Sequence, residues 1–296
     1  MLLLHPENFV DYELIDCGDF LKMERWGRCI TIRPEPQAVW SPVLKLNEWR
    51  RMAHFEFIPK SSSAGTWKKF RDMPDQWKIS YTLKSKHSKD LTFRLGLTSF
   101  KHVGLFPEQS VNWDFIYANV LNLRAKGIEQ PKVLNLFAYT GAASLAAKAA
   151  GADTTHLDSI KQVVSWSKEN MELSGLTDIR WVVEDAMTFV KRELKRGKKY
   201  HGIILDPPAY GHGTNGEKWK LEDMINEMVQ GVSNLAEDDF FLVLNTYSLG
   251  FSSLILDNFM KQSFSRFAKQ TATGELFLNS TQGPVLPLGV FARIAV

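Results

Sequence analysis

Cysteine is scarce in this sequence. Among its 296 residues only Cys17 and Cys29 carry a thiol, which is too few for a disulfide framework, a structural zinc site or an iron–sulfur cluster. Two thiols of this kind are typical of a protein kept in a reducing compartment. We therefore expect a cytoplasmic protein without a metal centre.

Long apolar runs are missing as well. No stretch approaches the roughly 18 consecutive apolar residues of a membrane span. The short apolar opening, residues 1–4, is followed at once by His5-Pro6-Glu7, so the apolar centre of a signal peptide is absent. With 44% hydrophobic and 23% charged residues, the chain has the composition of an ordinary globular protein, and we expect no membrane partner.

The pattern of apolar residues changes along the chain. Short strand-like runs at 12–17, 20–25 and 28–33, separated by Gly18 and Gly27, predict a β-rich domain over residues 1–105. From residue 132 onward strands alternate with helices, and the last two strands follow each other directly. This alternation predicts an α/β domain over residues 106–296 with a doubly wound, Rossmann-like sheet of seven strands. We expect the first domain to help to present a substrate to the second.

The glycine-rich turn of nicotinamide enzymes is also absent. That turn reads Gly-x-Gly-x-x-Gly because a pyrophosphate must approach the backbone closely. Here the corresponding turn contains Phe137, Tyr139, Thr140 and Gly141, with a single glycine. S-adenosylmethionine (SAM) has no phosphate, so a looser turn with hydroxyl and backbone donors is adequate for its carboxylate.

Carboxylates stand at the ends of the strands that follow. Asp158, with Ser159 beside it, ends the second strand, where it can pair with both hydroxyls of a ribose. Asp185, with Ala186 beside it, ends the third strand and can hold an adenine amino group. Each acid alone could instead cap a helix. Because ligands of such sheets bind at the carboxyl ends of the strands, the set predicts a SAM pocket.

The fourth strand ends in Asp206, and Pro207 and Pro208 stiffen the turn after it. Prolines fix φ and remove amide donors, so the turn offers carbonyl and carboxylate acceptors without nearby donors. We predict that Asp206 and Pro207 hold an amino group or ring nitrogen during methyl transfer. Tyr210 could stack on the acceptor ring, or alternatively cover the cofactor.

The motifs at 135–141, 157–159, 184–186 and 206–210 resemble those of bacterial large-subunit ribosomal RNA methyltransferases that modify cytosine C5 or guanine N7. Segment 101–109 looks like that family's hairpin packed against the SAM site, and segment 286–293 like its closing strand. The resemblance covers about residues 98–296. It implies a class I SAM-dependent methyltransferase that uses SAM as cofactor and RNA, in particular ribosomal RNA, as substrate. The family's RNA-binding accessory domain is not evident in the N-terminal part.

The positions of the cysteines favour one class of methylated atom over another. Cytosine C5 becomes nucleophilic only after a thiolate attacks C6, and both cysteines lie before residue 30. Methylation of a base nitrogen, either a ring nitrogen or an exocyclic amine, is therefore favoured. Three alternatives stay open: a small-molecule or protein methyltransferase, a cytosine-C5 methyltransferase, and a non-catalytic module that binds SAM or RNA.

Two segments could contact RNA. Residues 60–101 carry ten Lys or Arg against three Asp or Glu, interleaved with aromatic residues, a mixture that neutralises phosphates and stacks bases. The other interpretation is a solvated β-surface over an aromatic core. Residues 211–220 contain three glycines followed by Lys218, Trp219 and Lys220, which predicts a mobile loop beside the acceptor site.

Overall fold

The computed structural model describes residues 1–61, 64–84, 88–214, 216–247 and 250–296. Lys86, one of the ten basic residues of segment 60–101, and residue 215 of the glycine-containing loop lie outside these ranges. The α-helices are α1 Leu46–Met52, α2 Ser110–Ala125, α3 Ala142–Ala149, α4 Lys161–Leu173, α5 Ala186–Lys195, α6 Leu221–Ser233 and α7 Ser253–Ser263. Within the described ranges, no helix is both long and apolar enough to cross a membrane.

The strands account for most of the remaining regular structure. In the N-terminal part they are β1 Leu2–Leu4, β2 Tyr12–Gly18, β3 Leu21–Trp26, β4 Cys29–Pro34, β5 Phe55–Pro59, β6 Gly65–Lys69, β7 Gln76–Leu83 and β8 Lys89–Gly96. The later strands are β9 Lys132–Leu136, β10 Asp153–Asp158, β11 Ile179–Val183, β12 Tyr200–Leu205, β13 Tyr210–His212, β14 Lys218–Lys220, β15 Ala236–Thr246, β16 Thr271–Asn279 and β17 Val285–Ala295.

The central sheet has the order β1-β16-β17-β15-β12-β9-β10-β11. The pairs from β15 through β12, β9 and β10 to β11 are parallel, and β17 runs antiparallel to both of its neighbours. Strand β12 is almost wholly buried, as expected when helices cover both faces of a parallel sheet. The predicted doubly wound α/β fold with an antiparallel closing hairpin is therefore confirmed.

The sheet contains one strand more than predicted. Residues 2–4 pair in parallel with β16, Leu2 lying opposite Gly274. A Cβ at Gly274 would lie 1.9 Å from the Leu2 carbonyl oxygen, so only glycine allows this approach. Because three apolar residues have no detectable period, the pairing of this segment with the distant sheet could not be predicted from the sequence.

Two further sheets form the β-rich N-terminal part, which is confirmed. Strands β2 to β6 make a five-stranded sheet in sequential order, and β7 with β8 makes a hairpin. This hairpin packs on α2 around Trp113, whose ring lies 5.3 Å from Tyr81 and 5.5 Å from Phe93. The Tyr81 hydroxyl also donates to Asp114 at 2.7 Å. The N-terminal hairpin and the first helix of the α/β part thus share one core.

The aromatic residues of segment 60–101 mostly belong to that core. Trp77, Tyr81 and Phe93 are buried, whereas Lys78 of β7 stands on its exposed face. Some of the cations have acidic partners, such as Arg94, which pairs with Glu169 at 2.6 Å. The described part of this segment therefore matches a solvated surface over an aromatic core.

Candidate active site

A cavity of about 50 Å³ opens at the carboxyl ends of β9, β12 and β15. Its wall combines the turn after β9, the end of β12, the end of β15 and one face of α2. The residues that line it include Phe106, Gln109, Asn112, Asn135, Phe137, Tyr139, Thr140, Gly141, Asp206 and Asn245. Segment 101–109 does pack against this cavity, but as a loop ending in a 3₁₀ turn at Pro107–Gln109 and not as a hairpin.

The turn after β9 has a left-handed backbone at every second residue. The φ values are 58° at Phe137, 49° at Tyr139 and 92° at Gly141. Non-glycine residues in this region cost about 1–3 kcal/mol each. The turn therefore keeps the backbone course of a glycine-rich loop while carrying two aromatic side chains, and it has to be held in place by its surroundings.

Hydrogen bonds and close packing hold the turn in this conformation. The Tyr139 amide donates to the Asp158 carboxylate at 2.9 Å, and the Thr140 hydroxyl donates to the Gly104 carbonyl at 2.6 Å. A Cβ at Gly141 would lie 3.1 Å from the Ser167 Cβ, so α4 closes on the turn from behind. Thr140, which was predicted to bind the carboxylate of SAM, thus already donates its hydroxyl proton to the backbone of this chain.

The predicted ribose and adenine ligands lie at the ends of β10 and β11. The second Asp158 oxygen accepts from the Ile160 amide at 3.0 Å, and burial raises the pKa of this carboxyl. The Ser159 hydroxyl donates to the His212 carbonyl at 3.0 Å. Asp185 caps α5 by accepting from the Thr188 amide at 2.8 Å, and Ala186 is buried behind it.

Asp206 lies beside Asn245 at the cavity. Because β12 and β15 run in parallel with Leu205 opposite Leu244, the next residue of each strand meets at the same edge of the sheet. The Asn245 amide nitrogen donates to Asp206 at 3.2 Å. Burial raises the pKa of Asp206 to about 7, the Asn245 hydrogen bond opposes that rise, and the charge of Glu108 adds to it.

The segment after Asp206 is a hairpin, where the sequence predicted a mobile loop. Strands β13 and β14 pair from Tyr210–Lys220 to His212–Lys218. Trp219 is buried, donates its indole proton to the Pro208 carbonyl at 2.7 Å and packs its ring 4.8 Å from that of Phe137. The Pro208 carbonyl in the turn after Asp206 is thereby occupied, and the Asp206 carboxyl and the Pro207 carbonyl remain as the predicted acceptors.

Tyr210 stands at the exposed rim of this hairpin. It is 56% exposed, and its hydroxyl lies 3.1 Å from the His212 ring nitrogen Nε2. It does not line the cavity with Asp206.

Two of the asparagines that line the cavity, Asn135 and Asn245, have no role in the site predicted from the sequence. Each is the last residue but one of its strand, Asn135 in β9 and Asn245 in β15, and both are buried. The Asn135 side-chain nitrogen donates a hydrogen bond to the Ser144 hydroxyl at 2.9 Å, and that of Asn245 donates to the Asp206 carboxyl at 3.2 Å. Among the described residues neither side-chain oxygen has a hydrogen-bond donor. Two buried, unpaired amide oxygens fit the ammonium group of the amino-acid end of SAM, since buried acceptors are costly when left unpaired.

Comparison with known proteins gives consistent results. The family model described as Conserved hypothetical protein 95 matches residues 113–246. Ribosomal RNA large subunit methyltransferase K/L of Shewanella frigidimarina is 31% identical over 157 residues, which are 52% of this chain and 21% of the relative. The protein of the same name from Magnetococcus marinus is 29% identical over 161 residues, 53% of this chain and 21% of the relative. The chain thus spans about a fifth of the length of these curated relatives.

Solved structures match over a larger share of the chain. SMU.776, crystallised with S-adenosylhomocysteine (SAH), superimposes with a TM-score of 0.72 at 16% identity, over 98% of this chain and 76% of that one, which shows a shared fold. The SAM-dependent methyltransferase from Agrobacterium tumefaciens is 35% identical with a TM-score of 0.89, over 100% of this chain and 93% of that one. With this likeness along the whole chain, and with the cavity and its unpaired acceptors, the protein belongs to the family of SAM-dependent methyltransferases.

Proposed function

We propose that this methyltransferase modifies a base nitrogen of ribosomal RNA without a cysteine nucleophile. The observation that carries the proposal is the position of Asp206, which meets Asn245 at the cofactor cavity and is followed by a proline-stiffened turn. An acceptor nitrogen held by the Asp206 carboxyl and the Pro207 carbonyl would present its lone pair to the cavity. Such positioning can contribute about 7–11 kcal/mol to a bimolecular reaction.

The cofactor site extends along the neighbouring strand ends. In this proposal Phe137, Tyr139, Thr140 and Gly141 surround the amino-acid end of SAM. Asp158 with Ser159 binds the ribose, and Asp185 with Ala186 binds the adenine. When bound, SAM supplies an electrophilic methyl group on a positively charged sulfur, and the Asp206 carboxylate offers that charge a partner.

We prefer nitrogen over carbon as the atom that accepts the methyl group because both thiols of the protein are buried and unreactive. Cys17 and Cys29 are both fully buried in the N-terminal sheet. Burial raises the pKa of Cys17 to about 11 and that of Cys29 to about 12, so both stay protonated at neutral pH. A cytosine-C5 mechanism requires a reactive thiolate, which neither thiol supplies. Buried free thiols also suit the cytoplasm as the place of action.

Ribosomal RNA is proposed as the substrate because the curated relatives are named for it. The hairpin β13–β14 adds exposed Lys218 and Lys220 and the exposed ring of Tyr210 at the rim of the site. Cations and aromatic rings of this kind are used to bind phosphates and stack bases. We propose that the hairpin contacts the RNA, that Tyr210 stacks on the flipped base, and that residues 1–105 help to present it. A small molecule or a protein is the competing substrate class.

The test uses methyl-labelled SAM, the purified protein and ribosomal RNA from a strain that lacks the gene. Label in an N-methylated nucleoside, lost in the Asp206→Asn variant, is the expected result. Label in 5-methylcytidine would refute nitrogen methylation. Transfer of label to protein or metabolite fractions but not to RNA would refute the substrate class.

A further inference from the structure

A chain of hydrogen bonds runs behind the cofactor cavity and begins and ends at residues that line it. At one end the Asn135 Nδ2 donates to the Ser144 hydroxyl at 2.9 Å, and that hydroxyl oxygen lies 3.0 Å from Nδ1 of His156. At the other end the Ser167 hydroxyl donates to the Tyr139 carbonyl at 2.7 Å and lies 3.4 Å from Nε2 of His156. Asn135 and Tyr139 line the cavity, whereas His156 is fully buried in β10.

His156 is a neutral histidine. Its side chain has no exposed surface, and its ring packs against that of Trp181 with a centroid distance of 4.8 Å. Burial lowers the pKa of His156 to about 3, so the ring carries a single proton at neutral pH. In a neutral imidazole one ring nitrogen donates and the other accepts, and the neighbouring groups decide which of the two carries the proton.

Ser167 determines which nitrogen of His156 carries the proton. Besides the Tyr139 carbonyl, the Ser167 hydroxyl oxygen lies 3.0 Å from the Val163 carbonyl. Both carbonyls can only accept, so the single hydroxyl proton is directed at one of them, and Ser167 can only accept from His156. The proton of His156 therefore belongs on Nε2, and Nδ1 is an acceptor.

The acceptor at Nδ1 sets the direction of the bonds beyond it. The Ser144 hydroxyl donates to Nδ1, and its oxygen accepts from the Asn135 Nδ2. The Asn135 Oδ1 is left over, and among the described residues it has no hydrogen-bond donor. With the proton on Nδ1 of His156 these bonds would reverse. Ser144 would then donate to the amide oxygen of Asn135, and the amide nitrogen would be left for a ligand.

We propose that His156, protonated on Nε2, is a positioning residue that makes Asn135 an acceptor for the α-ammonium group of SAM. An ammonium group only donates hydrogen bonds, whereas a carboxylate only accepts them. The position of one proton on a buried histidine therefore decides which part of the amino-acid end of SAM Asn135 can bind. This inference rests on the proposed placement of that end at the turn after β9, and not on the RNA substrate.

The first test determines the position of the proton directly. In protein labelled with ¹⁵N-histidine, a long-range ¹H–¹⁵N correlation spectrum distinguishes the two neutral forms of each ring, and contacts with the Trp181 ring assign the His156 signals. We expect the proton of His156 on Nε2 at neutral pH, with and without SAH. A proton on Nδ1, or a charged ring, would overturn the inference.

The second test measures selectivity for the amino group of the ligand. Calorimetric titration compares SAH with its analogue that lacks the α-amino group. The wild type should bind SAH about 10- to 100-fold more tightly than the analogue, because a hydrogen bond to a charged group is lost in the analogue. In Ser144→Ala and in His156→Phe this ratio should fall about tenfold, since the Asn135 amide is then no longer held with its nitrogen away from the ligand.

Thr154→Val is the matched control. Thr154 lies on β10 two residues before His156 and is equally buried, and within the described part of the chain its hydroxyl has no hydrogen-bond partner. We expect this variant to keep the wild-type ratio. A change that only loosens the strand weakens the binding of both ligands alike, so the ratio reports on the orientation of Asn135 alone.

Two results of the titrations would overturn the inference. One is an unchanged ratio in both Ser144→Ala and His156→Phe, and the other is equal affinity of the wild type for the two ligands. Either result would leave methyl transfer to RNA standing, because that activity is measured separately with labelled SAM. Absence of label in RNA would in turn leave this inference standing. If neither variant folds, the position of the His156 proton and the wild-type ratio still decide.

Discussion

The raised pKa of Asp206 predicts that SAM binding depends on pH. The carboxyl has a pKa of about 7, mainly because it is buried. A group of this pKa is about one-tenth ionised at pH 6 and about nine-tenths ionised at pH 8. If the ionised form binds the positively charged sulfur, SAM affinity should rise about tenfold from pH 6 to pH 8, which corresponds to about 1.4 kcal/mol.

Calorimetric titration of SAM at pH 6, 7 and 8 measures this directly. SAH is the first control, because its sulfur is neutral and its affinity should change less. The ligand's own amino group loses its charge near pH 8, which acts in the opposite direction. The Asp206→Asn variant isolates the contribution of the ligand's amino group, since asparagine has the same size as aspartate but cannot ionise.

The same carboxyl should also affect stability. Its folded-state pKa lies above its unfolded value of about 3.9, so this group stabilises the folded protein at low pH relative to high pH. That stabilisation is lost as the pH rises between the two values.

Constant SAM affinity from pH 6 to pH 8, or equal pH dependence in Asp206→Asn, would refute the placement of an ionising Asp206 against the sulfur.

Three further predictions concern the cofactor turn and the thiols. Asp158→Ala should weaken SAM binding about 10- to 100-fold, because it removes hydrogen bonds to a charged group; unchanged calorimetric affinity would exclude this residue from the pocket. Replacing Cys17 and Cys29 together by Ala should leave kcat unaltered in the labelled-SAM assay, and a folded but inactive double variant would restore the covalent route. Gly141→Ala should lower the free energy of unfolding by more than Gly127→Ala, since both glycines have positive φ but only Gly141 is crowded. Equal losses in denaturant titrations, each about 1–2 kcal/mol from the left-handed backbone alone, would show that crowding does not matter.

The sheet and the position of the cavity could be predicted from the sequence because their determinants are local. Alternating strands and helices specify a parallel sheet. The residues at or just after the carboxyl end of each strand, such as Asp158, Asp185 and Asp206, then lie along one edge of the sheet whatever the helices contain. Asn135 and Asn245 carry a similar signal, since each is a polar residue near the carboxyl end of an otherwise apolar run.

Other features depend on contacts between distant residues. The left-handed backbone at Phe137 and Tyr139 is not marked by glycine at either position. It is stabilised by the hydrogen bonds of the turn to the Asp158 carboxylate and the Gly104 carbonyl. The hairpin β13–β14 has the composition of a mobile loop, yet the burial of Trp219 against Phe137 orders it. Gln109 and Tyr247, which are joined by a hydrogen bond of 2.6 Å, come together only in the folded protein, so no spacing in the sequence indicates their contact.

The pairing of Leu2–Leu4 with β16 has a consequence for synthesis on the ribosome. Leu2 lies opposite Gly274, so about 270 residues must be translated before this edge of the sheet can close. Contacts of such long range form slowly, and an uncovered strand edge can pair with another chain. During elongation Leu2–Leu4 thus have no partner strand until β16 has been synthesised, and a slowed ribosome would prolong the interval in which nascent chains can associate.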